Sequence, residues 1–298
     1  MARSVCLLLC TALFVAADDS PLADAIAAGN IATLRALLDD GAPVNTRDDL
    51  GRTPLLDAVW ADRADMVRLL IEHGADVRAA HPDGGSTPLD YAVVRGDAEI
   101  AAMLIRAQAP IDSSALPLAA ARDHAGLVRL LLDSGATITA ESIDQAVRQV
   151  SLAALGLLLD RNPKPAQQLM DDALQKGNAG LVEVLASHGA KWNETALHDA
   201  AARGQLGLLE LLLARGVPVN ATEPESGATA IYDAASMGRT EAVAALLAHG
   251  ADPNLVNKDG HAALHAASSG GFAETAEVLR KHGALDDPAL VRKVSNRR

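Results

Sequence analysis

Aromatic side chains are nearly missing from this 298-residue chain. Phe, Tyr and Trp together make up 2% of it, although 49% of its residues are apolar. A core without rings must be filled by Ala, Leu and Val at close helix–helix distances, which is an all-helical composition. A basic excess is also missing. The formal net charge is −12, which argues against a general nucleic-acid binder, because such proteins neutralise phosphates with Lys and Arg. The acidic balance serves solubility or steers a basic partner.

Cysteine is confined to Cys6 and Cys10, inside the leader MARSVCLLLCTALFVAADDSP. Arg3 supplies a positive start, Val5 to Ala16 an apolar run, and Val15-Ala16-Ala17 small residues before Asp18. This reads as a signal peptide over 1–17, with a buried first helix as the alternative. The run is too short to span a bilayer as a helix, so no membrane insertion is expected after cleavage. A lipid-anchored reading of Leu7 to Cys10 is disfavoured, because Leu9 is not small. Cleavage would leave a chain with no cysteine, hence no disulfide and no thiol-based catalytic or metal site. Catalytic signatures are lacking as well: no GxSxG, no phosphate loop and no zinc spacing occurs.

A repeat takes their place. Leucine-rich runs end at Gly41, Gly74, Gln108, Gly135, Asn162, Gly189, Gly216, Gly250 and Gly283, mostly followed by Ala. Periods of this length mean a solenoid. Nineteen residues before each end stands Leu22, Leu55, Leu89, Leu116, Ile143, Met170, Leu197, Ile231 or Leu264. Three residues further on, every repeat has alanine, from Ala25, Ala58 and Ala92 through Ala146 to Ala267. Only a small side chain lets short helices lie so close, so each repeat reads as a short helix, a tight turn, a second helix and a left-handed terminal residue.

These residues carry a resemblance. TPLLDA at 53–58, TPLDYA at 87–92, TALHDA at 195–200, and the endings GAPVN at 41–45, GVPVN at 216–220 and GADPN at 250–254 are similar to ankyrin repeats. The resemblance implies an all-α ankyrin-repeat solenoid of nine helix–turn–helix repeats over 18–288, with a basic tail at 289–298 that includes Arg292, Lys293, Arg297 and Arg298. Thr-Pro at 53–54 and 87–88 suits a helix cap followed by a first-turn proline. Elsewhere the pair decays, to Ser20-Pro21, Ser114-Ala115, Glu141-Ser142 and Gln168-Leu169. Four repeats, linked through PIDSS, TITAE, PKPAQ and KWNE, are too short to hold the β-turn finger that 33-residue ankyrin repeats carry. The middle repeats are therefore expected to have shortened fingers and an open stretch between Gln108 and Gly216.

Histidines are expected to be structural. His73, His188, His249 and His282 precede a terminal Gly, where a cationic or polar side chain suits a helix C-terminus. His198 and His265 occupy the motif histidine, which in ankyrin repeats hydrogen-bonds to backbone. His261 and His265 are four apart, but His261 precedes the helix, so metal binding there is not expected. Ser268-Ser269-Gly270-Gly271 reads as the loop of the last repeat. No cofactor and no catalytic residue is expected.

In ankyrin repeats the late positions of the first helices line the concave side and contact partners. Carried over residue by residue, this implies a partner surface of Trp60, Tyr91 and Val94, the basic positions Arg95, Arg122, Arg148, Lys176 and Arg203, and Met237. Two readings of the basic stripe remain open. Asp144–Arg148, Asp172–Lys176 and Asp199–Arg203 have the favourable acid-first spacing of helical pairs, each contributing only about 0.2–0.5 kcal/mol. A partner carboxylate could compete with them. The expected function is non-enzymatic protein–protein recognition by a monomer in the periplasm or outside the cell. An Ala-, Leu- and Arg-rich chain with cysteine only in its leader looks like a bacterial exported protein. The alternatives are an inhibitor or immunity-type protein against an exported toxin or enzyme, and, more distantly, a hydrolase. Sequons at Asn193 and Asn220 matter only in a eukaryotic secretory pathway.

Overall fold

The computed structural model describes residues 20–82 and 84–286, so the leader 1–17 and the tail 289–298 lie outside the described residues. Two compact units divide between Arg161 and Asn162. Among the described residues the N-terminal unit holds five helix pairs: α1 Pro21–Ala27 with α2 Ile31–Asp39, α3 Pro54–Trp60 with α4 Ala64–Glu72, α5 Pro88–Arg95 with α6 Ala98–Arg106, α7 Ala115–Ala121 with α8 Ala125–Asp133, and α9 Ala140–Arg148 with α10 Leu152–Arg161. The C-terminal unit holds four: α11 Ala166–Lys176 with α12 Ala179–Ser187, α13 Ala196–Arg203 with α14 Leu206–Ala214, α15 Ala230–Ser236 with α16 Thr240–Ala248, and α17 Ala263–Ser269 with α18 Ala273–Lys281.

Within each unit odd helices pack on odd ones and even on even ones, in chain order. The nine alanines of the repeat register are all buried, and so is the leucine-type residue three positions before each. A longer side chain at the alanine would push adjacent first helices apart, which is why the position admits one residue type. The two-layer stack therefore follows from the register, as the sequence implied.

Caps explain where the helices start. Thr53 Oγ1 accepts from the Leu56 N–H, and Thr87 forms a capping box with Asp90, each followed by a first-turn proline. Where the Thr-Pro pair has decayed, other residues cap. Asp112 Oδ1 accepts from the Ser114 and Ala115 N–H groups at the start of α7, at 2.7 and 3.1 Å. Thr139 and Ser142 cap α9 reciprocally, so α9 starts at Ala140, ahead of the Glu141-Ser142 pair expected to mark its head. Likewise α11 starts at Ala166, before Gln168-Leu169.

Left-handed residues end the second helices at Gly41, Gly74, Gln108, Gly135, Gly189, Gly216, Gly250 and Gly283. Asn162 breaks the expected pattern and takes no positive φ, because the Pro163 that follows it restricts its backbone. A second left-handed position, not foreseen, lies in the tight turn between the helices of every repeat. Glycine holds it in six repeats, and Asp62, Asp123 and Val150 hold it in the other three.

Fingers form where the spacing allows them. Backbone pairs close them between Asp48 and Arg52 and between His81 and Ser86 in the N-terminal unit, and between Glu223 and Ala228 and between Asn257 and His261 in the C-terminal one. Among the described residues no such closure occurs in the short linkers around 109–114, 136–139, 162–165 and 190–195. The shortened middle fingers are thus observed.

Candidate functional site

The late first-helix positions of the N-terminal unit come together as a cluster. Trp60 ends α3 and meets Tyr91 of α5 edge to face, with ring centroids 5.6 Å apart and planes at 89°. The guanidinium of Arg95 lies 5.7 Å from the Trp60 ring centroid and 3.7 Å from the Asp62 carboxylate. Asp62 itself is crowded. A hydrogen bond with Asp97 raises its pKa above the ordinary carboxylate value, burial and the Asp97 charge add to this, and Arg95 opposes it.

Val94 is half-buried beside this cluster, and its carbonyl accepts from Arg122 Nη1 at 3.0 Å. A cation from the next repeat thereby satisfies a helix-end carbonyl of α5. Below it a groove of about 590 Å³ opens along α7. Val94, Pro117, Leu118 and Ala121 give it apolar walls, while Asp90, Arg122, Glu141 and Gln145 give it polar ones. It lies where the finger has been cut, between the second finger's Gly84–Ser86 and the start of α9.

Four of the five cations expected to face a partner carry an internal carboxylate. Arg95 has Asp62, Arg148 has Asp144 at 3.7 Å, Lys176 has Asp172 at 2.7 Å and Arg203 has Asp199 at 4.0 Å. Arg122 has none among the described residues. In the C-terminal unit Arg203 also donates to the Gln175 carbonyl at 3.2 Å, beside a smaller groove of about 400 Å³ that reaches from Asp171 to Arg203. Met237, two repeats on from Lys176, is 55% exposed.

The histidines named from the sequence make internal contacts, two of them other than expected. His73, His188 and His282 point Nδ1 at the carbonyl four residues earlier, at 2.7 to 2.9 Å, and His249 meets Glu210 at 2.8 Å. His198 meets the Asp233 carboxylate of the next repeat at 2.7 Å rather than backbone, because its side chain is buried against α15. His261 and His265 do come together, their rings stacked 4.0 Å apart, since the finger folds back over the first turn of α17. Stacked rings direct their nitrogen lone pairs sideways rather than at a shared point. Ser268 and Ser269 belong to α17, and the loop is Gly270 to Phe272. Among the described residues no group of three or more His, Cys, Asp or Glu side chains is placed to hold a metal ion, and no helix is long and apolar enough to cross a membrane.

Sequence models of ankyrin repeats match residues 37–92 (many copies), 84–114 (a single repeat), and 169–257 and 197–288 (three copies). The chain belongs to the ankyrin repeat family. The matched stretches leave out 115–168, where α7 and α9 line part of the larger groove and the finger is missing. No curated protein matches the sequence. Among solved structures, the ankyrin repeat domain of Bcl-3, described as a unique member of the IkappaB protein family, aligns at 23% identity with a TM-score of 0.41, covering 88% of this chain and 98% of that one. Ankyrin repeats generally serve protein–protein interaction, through the extended surface that stacked repeats present. Sequence reasoning named the wall residues Val94 and Arg122 of this ankyrin groove but missed its floor. Leu118 and Ala121 look like core residues until α7 is seen with them half-exposed, and Pro117 lines the groove while staying buried. The shortened linker before α7 was the available signal.

Proposed function

We propose that this protein is a non-enzymatic scaffold that binds another protein through the face carried by its odd-numbered helices, and that it does so in the periplasm or outside the cell. The observation that carries the binding face is the Trp60–Tyr91–Arg95 cluster continuing into an open groove where the finger is cut away. Half-exposed aromatics and arginine over apolar walls are the composition of interface anchors. Stacked repeats hold such a surface in place before binding, which lowers the ordering cost. The leader residues motivate export.

The test recovers the partner from the envelope fraction of the native host and then measures its affinity for variants. Trp60→Ala should weaken binding by about 2 kcal/mol, the scale of an interface hot spot, with helicity unchanged by circular dichroism. Charge reversal at Arg122 and Arg148 should slow association. Arg68 and Arg129 sit exposed on the even helices α4 and α8 and serve as the comparison. Loss of binding on their substitution, with the odd-helix variants intact, would move the site to the other face. N-terminal sequencing of the native product decides export, and a chain still starting at Met1 or Ala2 would refute it.

A further inference from the structure

Arg122 departs from the pattern of its neighbours in a way that points into the groove. In α9, α11 and α13 the residue four positions before the terminal cation is Asp144, Asp172 or Asp199, and each pairs with that cation. In α7 the corresponding residue is Leu118, which lines the groove instead. The whole of α7, ALPLAAA, carries no polar side chain. The adjacent acid turns elsewhere: Asp123 Oδ1 accepts from the Ala154 N–H at 2.9 Å, near the start of α10, and among the described residues no ion pair joins Asp123 to Arg122. Arg122 donates one bond to the Val94 carbonyl, while a guanidinium has five N–H groups.

The two carboxylates in the groove are held by neutral donors of their own helices. Asp90 accepts from the Thr87 N–H and hydroxyl at 2.8 and 2.9 Å, and Glu141 accepts from Gln145 Nε2. Glu141 also stands in the first turn of α9, at the opposite end of the repeat register from Arg122. The groove therefore pairs an apolar floor with a cation at one end that has no carboxylate partner among the described residues.

Resting on the odd-helix face as the binding surface, we infer that this groove receives an extended segment of a partner protein that presents an apolar side chain and, two residues along, an Asp or Glu. The apolar side chain covers Pro117, Leu118 and Ala121, and the carboxylate pairs with Arg122. Leu118 to Arg122 is four helical residues, about 6 Å. Two residues of an extended strand span about 6.6 Å and place their side chains on the same side. A planar guanidinium takes a carboxylate through two parallel N–H bonds, the geometry that favours Arg over Lys. Continuity with the Tyr91–Trp60 cluster past Val94 favours a chain segment over a small free acid, since the segment can run on across both.

The probe is a set of capped decapeptides on a Gly-Ser background, titrated by fluorescence anisotropy against the full chain. One pool carries Leu-x-Glu, one Leu-x-Lys and one Ser-x-Glu. The Leu-x-Glu pool should bind at least tenfold more tightly than either other. Arg122→Gln, which keeps a donor for the Val94 carbonyl, should abolish the preference for Glu over Lys, and Arg122→Glu should invert it. Leu118→Ser should weaken both Leu pools about tenfold and leave the charge preference alone. Equal binding of the Glu and Lys pools, an unchanged preference in Arg122→Glu, no binding of any pool, or displacement by octanoate as effective as by the peptide would each overturn the assignment. If the pools fail while Trp60→Ala still weakens the native partner, the groove assignment falls and the surface stands. If the native partner is also indifferent to Trp60→Ala, both fall.

Discussion

Asn254 should hold the last repeat to the one before it. Its Nδ2 donates to the Gly283 carbonyl at 3.0 Å, and its Oδ1 accepts from the Leu285 N–H at 2.9 Å. Asn220 makes the same pair of bonds with Gly250 and Asp252, and Asn45 with Gly74 and Asp76. In a repeat without a finger, Gln167 makes two bonds to the backbone of Lys191 in the same manner. One amide thus satisfies a donor and an acceptor at the next repeat's helix end. Each bond contributes about 0.5–1.5 kcal/mol net. Because Asn254 is half-buried, water replaces the lost partner only in part, and Asn254→Ala should cost about 1–2 kcal/mol. A terminal repeat has a single neighbour, so the loss should appear locally. Urea titration followed by circular dichroism gives the total, and amide exchange should accelerate chiefly in α17 and α18. Asn193→Ala is the control, because Asn193 is exposed and, among the described residues, its side chain is recorded with a single long bond, from Thr195. It should change stability by under about 0.5 kcal/mol, the range of ordinary surface changes. If both variants cost the same, or if exchange rises uniformly, the bridging role is refuted.

Ala146 is fully buried in α9, which packs on α7, so Ala146→Leu should destabilise by about 1–3 kcal/mol or more through overpacking; unchanged thermal unfolding would mean that the close-packing argument is wrong. Val150 holds φ +56° with a β-branched side chain that is 46% exposed. Val150→Gly should therefore stabilise the chain, relieving about 1–2 kcal/mol of left-handed strain against about 0.5–1 kcal/mol of added chain entropy, and a lowered urea midpoint would contradict this. His73 has a pKa raised above 6.5 by its bonds to the Leu69 carbonyl and to Asp39. Its contribution to stability is full below about pH 6.5 and is lost as pH rises through the folded value. Asp39→Asn should move the His73 titration midpoint downward by NMR, and an unmoved midpoint would exclude the carboxylate as a cause.

The helix-pair repeat was readable from residues alone because it rests on local, periodic demands. A leucine-type residue and an alanine three positions on recur from Leu22 and Ala25 to Leu264 and Ala267, and all eighteen are buried. The missing fingers were readable for a similar reason, since a linker as short as Pro163–Pro165 has too few residues to form a backbone pair. Helix starts were less legible. Asp112 and Thr139 cap α7 and α9 from outside the Thr-Pro register, and a cap is chosen by whichever oxygen reaches the free N–H groups.

The site lies further from the sequence, because its partners come from other repeats. Helical spacing showed that Asp144, Asp172 and Asp199 could neutralise their cations, but no spacing rule pairs Arg95 with Asp62 or sends Asp123 to the Ala154 N–H, 31 residues away. Those choices leave Arg122 as the stripe cation without a carboxylate among the described residues, beside Leu118 and Ala121, whose exposure depends on what α5 and α9 leave uncovered. Sequence by itself determined the repeat, its register and where the fingers stop, because each is set by short-range sterics and chain length. Only the tertiary structure decided which charge is spare and which apolar face is open, because both are differences between what neighbouring repeats could cover and what they do.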